Sequence, residues 1–272
     1  MQWWCSATGE PWTWSWQAYP GVWLFVAVVA YLSYRAQRAA DRTPAGRASA
    51  IAALVLLWIT LDWPVGPLGT GYLASVHALQ FIALGMVVPP LLLRALPRER
   101  VDVALASRPR LAGAIGALTQ PLVAALLFTL VMVVTHVPRI VDAVMRFQLG
   151  AFLLDLAWLV SGLVFWWPVV VRRPALPGFN PILRILYIFL GTQAHLFIAM
   201  WLLLADFPVY ATYELAPRVT GLSALQDQQL AGGFMIGVAE PIVFAAIAIV
   251  FFRWAGEQER TARGQEVASE RR

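Results

Sequence analysis

The sequence of 272 residues contains no lysine, a single cysteine and little charge of either sign. Without lysine, no side chain can form a Schiff base with retinal, so a seven-helix rhodopsin is excluded. With Cys5 as the sole thiol, neither an internal disulfide nor a CxxC metal or redox motif is possible. We also find no Ser-His-Asp order, paired carboxylates or metal-hydrolase spacing, and we therefore do not expect an enzyme.

The shortage of charge determines the fold class. Charged residues make up 13% of the chain and hydrophobic residues 60%, against roughly 25% and 45–50% in a soluble domain. So few charges cannot cover a water-soluble globule, and the apolar surface must face a lipid bilayer. Because a spanning helix needs about 20 mostly apolar residues, we expect an all-α integral membrane protein with a seven-transmembrane-helix bundle.

The expected spans follow the apolar stretches of the sequence. They are Pro20–Tyr34, Ser49–Trp63, Tyr72–Leu93, Leu111–Thr135, Gln148–Val171, Pro181–Ala205 and Gln228–Arg253. Residues 1–19, which hold five tryptophans, suit an interfacial segment. We expect the seven-helix membrane domain to cover residues 20–254 and a disordered tail to cover residues 255–272, because the tail is polar and of mixed charge.

Arginine placement predicts the orientation. All of the 20 arginines except Arg139, Arg146 and Arg218 fall in alternate loops and in the tail. By the positive-inside rule the arginine-rich side is cytoplasmic, which places the N-terminus outside and the C-terminus in the cytoplasm. Because these arginines flank membrane spans and do not cluster on a soluble face, we expect no nucleic-acid partner.

Polar side chains within the apolar spans are few, and ionisable groups there mark a functional site or a buried pair by default. Several lie in the outer part of different spans, and we expect them to face inward around one polar pocket that opens to the outer side. They are His77, Gln80, His136, Asp155, Asp227 and Gln228.

Part of this set has the donor chemistry of a copper site. Met132 and His136 are spaced i,i+4 and share one helix face. A soft thioether and imidazole suit Cu(I), so we consider His77, His136, Asp155 and Met132 as metal ligands. The alternatives are that methionine fills gaps in the core and that the histidines make structural hydrogen bonds.

Two further ionisable groups lie near the middle of the last two spans. His195 is in the sixth span, and Glu240 is in the seventh, directly before Pro241. Proline removes a backbone hydrogen bond, so we expect a kink there, as at Pro89-Pro90 in span three. Glu240 is either a proton carrier or ligand at the opened helix, or a protonated side chain bonded to a neighbour.

Four short motifs, in this order and spacing, resemble those of the CtaG-type cytochrome c oxidase assembly factors. They are HALQ and VVPPLLL within His77–Leu93, THVP at Thr135–Pro138, FWWPV at Phe165–Val169 and QDQQLAG at Gln226–Gly232. The resemblance covers roughly residues 70–240. It implies a multi-pass protein of the bacterial plasma membrane that helps to mature a haem-copper oxidase, with a subunit of that oxidase as partner and copper supplied on the outer side.

The chain departs from the family pattern at three positions. Members tend to carry a second histidine one turn after His77, where this chain has Phe81, and a His-x-x-x-His pair where it has Ala151 and Asp155. Carboxylate is a harder ligand than Cu(I) prefers. Either the site is rebuilt around His77, His136, Asp155 and Met132, or metal binding has been lost.

Two other functions remain open from the sequence. A transporter of copper or another small solute would use Glu240, His195 and the Pro241 kink as its path, although no inverted repeat of broken helices is visible. A haem-binding redox protein would need two histidines as axial ligands on facing helices, for which His77 and His136 are the available pair.

Overall fold

The structure is a computed structural model that describes residues 2–38, 43–171 and 179–270. In this part of the chain all regular structure is helical, with two π turns inside longer helices. The elements are α1 (Pro20–Arg38), α2 (Pro44–Leu61), α3 (Val65–Gly71), α4 (Ala74–Phe81), π1 (Ile82–Val87), α5 (Val88–Ala95), α6 (Arg98–Ala106), α7 (Pro109–Leu118), α8 (Pro121–Thr135), α9 (Pro138–Val144), α10 (Gln148–Val170), α11 (Pro181–Thr192), α12 (Ala194–Leu204), α13 (Ala211–Glu214), α14 (Ala224–Phe234), π2 (Met235–Ala239) and α15 (Glu240–Glu270).

Within the described residues, five helical segments are long and apolar enough to cross a membrane. They are Pro44–Leu61, Ala74–Ala95, Gln148–Val170, Pro181–Leu204 and Ala224–Arg263. A sixth crossing is present if α7 and α8, which are bent by 67° at their junction, form one span. The all-helical membrane architecture is thus confirmed, whereas the count of seven spans is not.

The expected first span is not among these segments. Its apolar part, predicted as Pro20–Tyr34, is shorter than the roughly 20 residues that a crossing needs. In the structure α1 continues to Arg38, and its last turn carries Arg35 and Arg38. Its apolar residues nevertheless point outward, since Leu24 is 67% exposed, as a lipid-facing surface requires.

The end of the chain differs from the expected disordered tail. Helix α15 continues to Glu270, well past residue 255, where we expected helical structure to stop. No proline interrupts it after Pro241, and Arg263 Nη2 contacts Glu259 Oε1 at 2.6 Å with i,i+4 spacing, the arrangement that supports an exposed helix. Arg42, Arg172, Arg173, Arg271 and Arg272, used above for orientation, lie outside the described residues.

The span formed by α4, π1 and α5 lies at the centre of the bundle, in contact with α2, α10 and α14. Its π turn precedes Pro89, which has no N–H to give to the carbonyl of Gly85. Trp166 Nε1 on α10 donates to that carbonyl at 3.3 Å. The expected break at Pro89-Pro90 is therefore a π turn whose freed carbonyl is satisfied by a neighbouring helix.

A second π turn occupies the position of the kink expected in the last span. Residues Met235–Ala239 form π2 directly before Glu240 and Pro241. The turns π1 and π2 contact each other. π turns are rare, and those that occur are frequently found at functional sites. The contact between π1 and π2 therefore makes this part of the bundle a candidate for function.

The N-terminal segment packs across the ends of several helices. The backbone N–H groups of Trp3 and Trp4 both donate to Gln148 Oε1, at 2.7 and 3.3 Å, and Ala7 N donates to the Met145 carbonyl. Trp14 and Trp16 are 67% and 62% exposed, as an interfacial segment requires, but Trp4 is fully buried.

Two adjacent glycines offer a test of the packing between α14 and α12. A Cβ at Gly232 would lie 2.6 Å from the Ala199 carbonyl oxygen, whereas a Cβ at Gly233 would meet nothing within 4 Å. We predict that Gly232→Ala destabilises the protein by about 1–3 kcal/mol through overpacking. Gly233→Ala should leave stability unchanged or raise it, because alanine favours helix over glycine. Thermal unfolding in detergent measures both, and equal melting temperatures would contradict this packing.

Candidate functional site

The N-terminal parts of α4, α10 and α14 and the C-terminal end of α8 carry most of the predicted site residues. These helix ends lie opposite the ends that bear the arginine-rich loops. The four ionisable groups that we placed there are all buried, with 1–9% of each residue exposed: His77, His136, Asp155 and Asp227. All four side chains therefore lie inside the bundle.

Trp158 of α10 organises the histidines. Its ring centroid lies 4.9 Å from that of His77 and 6.1 Å from that of His136. Its indole N–H donates to Thr135 Oγ1 at 2.8 Å, which fixes the ring against the end of α8. Phe81 completes the cluster, 5.0 Å from the His136 ring. Two imidazoles from different helices thus face one aromatic side chain.

The tautomer of His136 follows from its hydrogen bond. Its Nδ1 lies 2.7 Å from the Met132 carbonyl, which can only accept, so Nδ1 carries the proton. A neutral imidazole has one donor and one acceptor nitrogen, and Nε2 therefore holds a free lone pair. A carbonyl that fixes the ring in this way is the usual support of a metal-binding histidine.

His77 is the unusual member of the cluster. Both of its ring nitrogens are buried, and neither makes a hydrogen bond of normal geometry with a described residue, although the side chain of Gln80, three residues further along α4, lies close to the ring. Buried polar groups are nearly always paired, and an unpaired one is commonly explained by a water or an ion. The geometry leaves His77 with an unused lone pair beside Trp158.

Asp227 has a structural role at the start of the same helix. The capping box of Ser223 and Gln226 begins α14 and places Asp227 in its first turn. The carboxylate accepts from Ala74 N at 2.6 Å and from Ser75 Oγ at 2.5 Å. It therefore caps α4 two residues before His77 and holds α14 against α4.

Asp155 and Met132 are each committed to other contacts. Trp4 Nε1 donates to Asp155 Oδ2 at 2.9 Å, which connects the N-terminal segment to α10. Met132 is buried in the core, 1% exposed, and its carbonyl serves His136. Among the described residues, no three His, Cys, Asp or Glu side chains form a group that could hold a metal ion.

The structure brings only some of the predicted pocket residues together. His77 and His136 share one cluster, whereas Asp155 and Asp227 are engaged elsewhere. A cavity of about 460 Å³ does exist near these helix ends, but its lining includes Glu10, Trp12, Pro67 and Tyr72 and none of the predicted ligands.

The two predicted glutamines connect loops to the bundle. Gln80 Nε2 donates to the Thr60 carbonyl at 3.0 Å, at the turn between α2 and α3. Gln228 Oε1 accepts from Val209 N at 2.7 Å, and its Nε2 donates to the Leu202 carbonyl at 3.3 Å. Both side chains have partners, so their role in this structure is to position loops.

His195 and Glu240 form a separate pair next to π2. His195 Nδ1 contacts the Thr192 carbonyl and so carries a proton. Its Nε2 lies 3.1 Å from Glu240 Oε1, although the two groups are not oriented as in a hydrogen bond. The pair therefore brings an imidazole nitrogen close to a carboxylate oxygen within the last two spans.

Two tyrosines of the loop between α12 and α14 cover the histidine cluster. Tyr210 OH donates to the His136 carbonyl at 3.0 Å, and Tyr213 OH donates to the Gly69 carbonyl at 2.8 Å. The Tyr213 ring also lies 5.8 Å from that of His77. Burial raises the pKa of both phenols, so both remain protonated donors.

The fold and the site define a multi-pass helical membrane protein with a buried histidine cluster near the helix ends opposite its arginine-rich loops. Residues 12–257 match the model of the cytochrome c oxidase caa3 assembly factor family. The chain belongs to that family, and the resemblance inferred from the four motifs is confirmed.

Two curated relatives are known from mycobacteria. An uncharacterized protein of Mycobacterium bovis and one of Mycobacterium tuberculosis are each 26% identical over 251 residues, which covers 75% of this chain. The alignment covers 36% of each relative, so the chain spans about a third of their length. No solved structure matches this chain.

Sequence reasoning missed the aromatic residues around the two histidines and the partner of Asp155. Trp4, Phe81, Trp158 and Tyr213 were not named as site residues, because aromatic side chains in an apolar protein are too common to stand out. A weak signal was available for Trp158, which follows Asp155 by three residues and therefore shares its helix face.

The contribution of the hydrogen bond between Trp4 and Asp155 to stability can be tested by substitution. Trp4→Phe removes the indole donor and leaves the buried Asp155 carboxyl unpaired, which should cost about 1–3 kcal/mol of stability. Trp3→Phe is the matched control, because Trp3 is 41% exposed. Thermal unfolding in detergent compares the two, and an equal loss in both variants would show that the bond does not hold the segment in place.

Proposed function

We propose that this chain assists the assembly of a haem-copper cytochrome c oxidase by handling copper as cargo at His77 and His136, on the outer side of the plasma membrane. The family membership supports the assembly role. The copper step rests on the histidine cluster, and above all on the two unpartnered nitrogens of His77.

The donor set suits transient binding of Cu(I). Imidazole is a suitable copper ligand, and the described geometry offers a free nitrogen on His136 and on His77, whose rings both lie beside Trp158. Fewer protein donors than a permanent site uses would hold the ion weakly. Weak binding suits a protein that passes its cargo to another.

The outer location follows from the arginines. The cluster lies at the helix ends opposite the arginine-rich loops, and the positive-inside rule assigns those loops to the cytoplasm. Copper would then reach His77 and His136 from the side of the tyrosine-bearing loop that contains Tyr210 and Tyr213.

Transport is the second candidate, favoured by the His195–Glu240 pair. This pair lies directly beside π2 and Pro241. Ionisable groups within spans are typical of proton relays in transporters. Copper uptake into proteoliposomes that stops on Glu240→Gln would identify transport in place of cargo handling.

The copper step predicts the effect of removing both imidazoles. Purified protein with His77→Ala and His136→Ala should lose Cu(I) binding, measured by competition with a colorimetric Cu(I) chelator. His195→Ala is the control and should bind copper like the unchanged protein, because His195 lies in a different cluster. Unaltered binding by the double variant would refute these ligands, and a Soret band in the purified protein would indicate haem instead.

The same double variant separates assembly from copper handling in cells. In a host that lacks this chain, we expect the double variant to yield less active oxidase than the unchanged protein, with recovery at high external copper. Full activity without added copper would leave the assembly role and remove the copper step.

Phe81 marks the place of a third possible donor. Its ring lies 5.0 Å from His136 and 5.5 Å from Trp158, so a histidine at this position would enter the same cluster. We predict that Phe81→His tightens Cu(I) binding by about tenfold, equivalent to about 1.4 kcal/mol. Phe81→Leu is the control, and an affinity equal to that control would show that this position does not reach the ion.

A further inference from the structure

A second cavity, of about 440 Å³, lies among the helix ends on the arginine-rich side. Its walls come from the start of α2, from α5, from the last turns of α10 and from α11 and α15. Most of the lining is apolar, including Trp166, Val170 and Ile249. Ile249 is 54% exposed, so the cavity adjoins the lipid-facing surface of α15.

Three arginines line this otherwise apolar space. Arg94 comes from the last turn of α5, Arg184 from the first turn of α11 and Arg253 from α15. No aspartate or glutamate is among the described lining residues. Arg184 also lies over the ring of Phe179, 5.6 Å from its centroid. The cavity therefore combines positive charge from three helices with an apolar wall.

We propose that this cavity binds an anionic phospholipid, with its phosphate between Arg94 and Arg253 and the upper part of an acyl chain along the wall at Ile249. Basic pockets between spanning helices are suited to anionic lipid headgroups. A free anion would satisfy the arginines but would gain nothing from the apolar lining. A neutral lipid would fill the wall but would gain nothing from Arg94 and Arg253.

Trp166 connects this site to the core of the bundle. Its ring lines the cavity, and its indole N–H donates to the Gly85 carbonyl in π1. A lipid seated against Trp166 therefore contacts the side chain that satisfies the π turn, and binding should stabilise the packing of α10 against π1.

Thermal unfolding of the delipidated full chain in detergent tests the site. Added phosphatidylglycerol should raise the melting temperature, whereas phosphatidylcholine and inorganic phosphate should not. In Arg94→Gln, Arg253→Gln the apparent affinity for phosphatidylglycerol should fall by about twenty-five-fold, at about fivefold for each arginine near a membrane surface.

The control replaces two exposed arginines of the same side that do not line the cavity, Arg110→Gln and Arg260→Gln, and should retain the full lipid effect. Equal stabilisation by phosphatidylcholine, or an equal loss in both double variants, would overturn the proposal. Stabilisation by phosphate alone would assign a soluble anion instead. Each single variant, Arg94→Gln and Arg253→Gln, gives a graded readout if the double variant does not fold, and an unchanged affinity in both would also overturn the proposal.

Discussion

In an apolar bundle, a buried polar group has no water to bond and must find its partner within the protein. Tryptophan meets much of this demand here, because its indole carries one donor on a large apolar ring. Trp4 bonds Asp155, Trp158 bonds Thr135 and Trp166 bonds the Gly85 carbonyl freed by Pro89. Each of these bonds joins two segments that are far apart in sequence, so the indole donors also define how the helices assemble.

The exceptions to this pairing are as informative as the bonds. Most polar side chains of the helix ends around His77 are fully engaged, and Asp227 caps a helix. His77 keeps two unpaired nitrogens, and the His195–Glu240 pair holds its atoms close without a hydrogen bond. Trp12, Asp62 and Trp167 also leave one buried atom each without a hydrogen bond in the described part of the chain. At His77 and at the His195–Glu240 pair the unpaired atoms are imidazole nitrogens and a carboxylate oxygen within spans, where an ion or a proton has chemical reason to bind.

The sequence predicted which side chains avoid lipid, because that depends on solvation. It could not predict which side chains meet, because that depends on how the helices are oriented. The shortage of charge indicated a helical membrane protein, and the cost of burying ions indicated that His77, His136 and Asp227 face inward. Spacing along one helix cannot show which partner on another helix a side chain meets. Asp155 therefore joined the proposed ligands, although the structure pairs it with Trp4, and Phe81 appeared as a missing histidine before it proved to be a neighbour of His136.

The π turn in the central span also changes the direction in which the second half of that span presents its side chains. One extra residue in a turn rotates everything beyond it by about 100° relative to a continuous α-helix. The half before the turn directs His77 and Phe81 to Trp158, and the half after it contributes Arg94 to the second cavity. An insertion or deletion confined to Ile82–Val87 would therefore alter the angular relation between the two sites while leaving the residues of each intact.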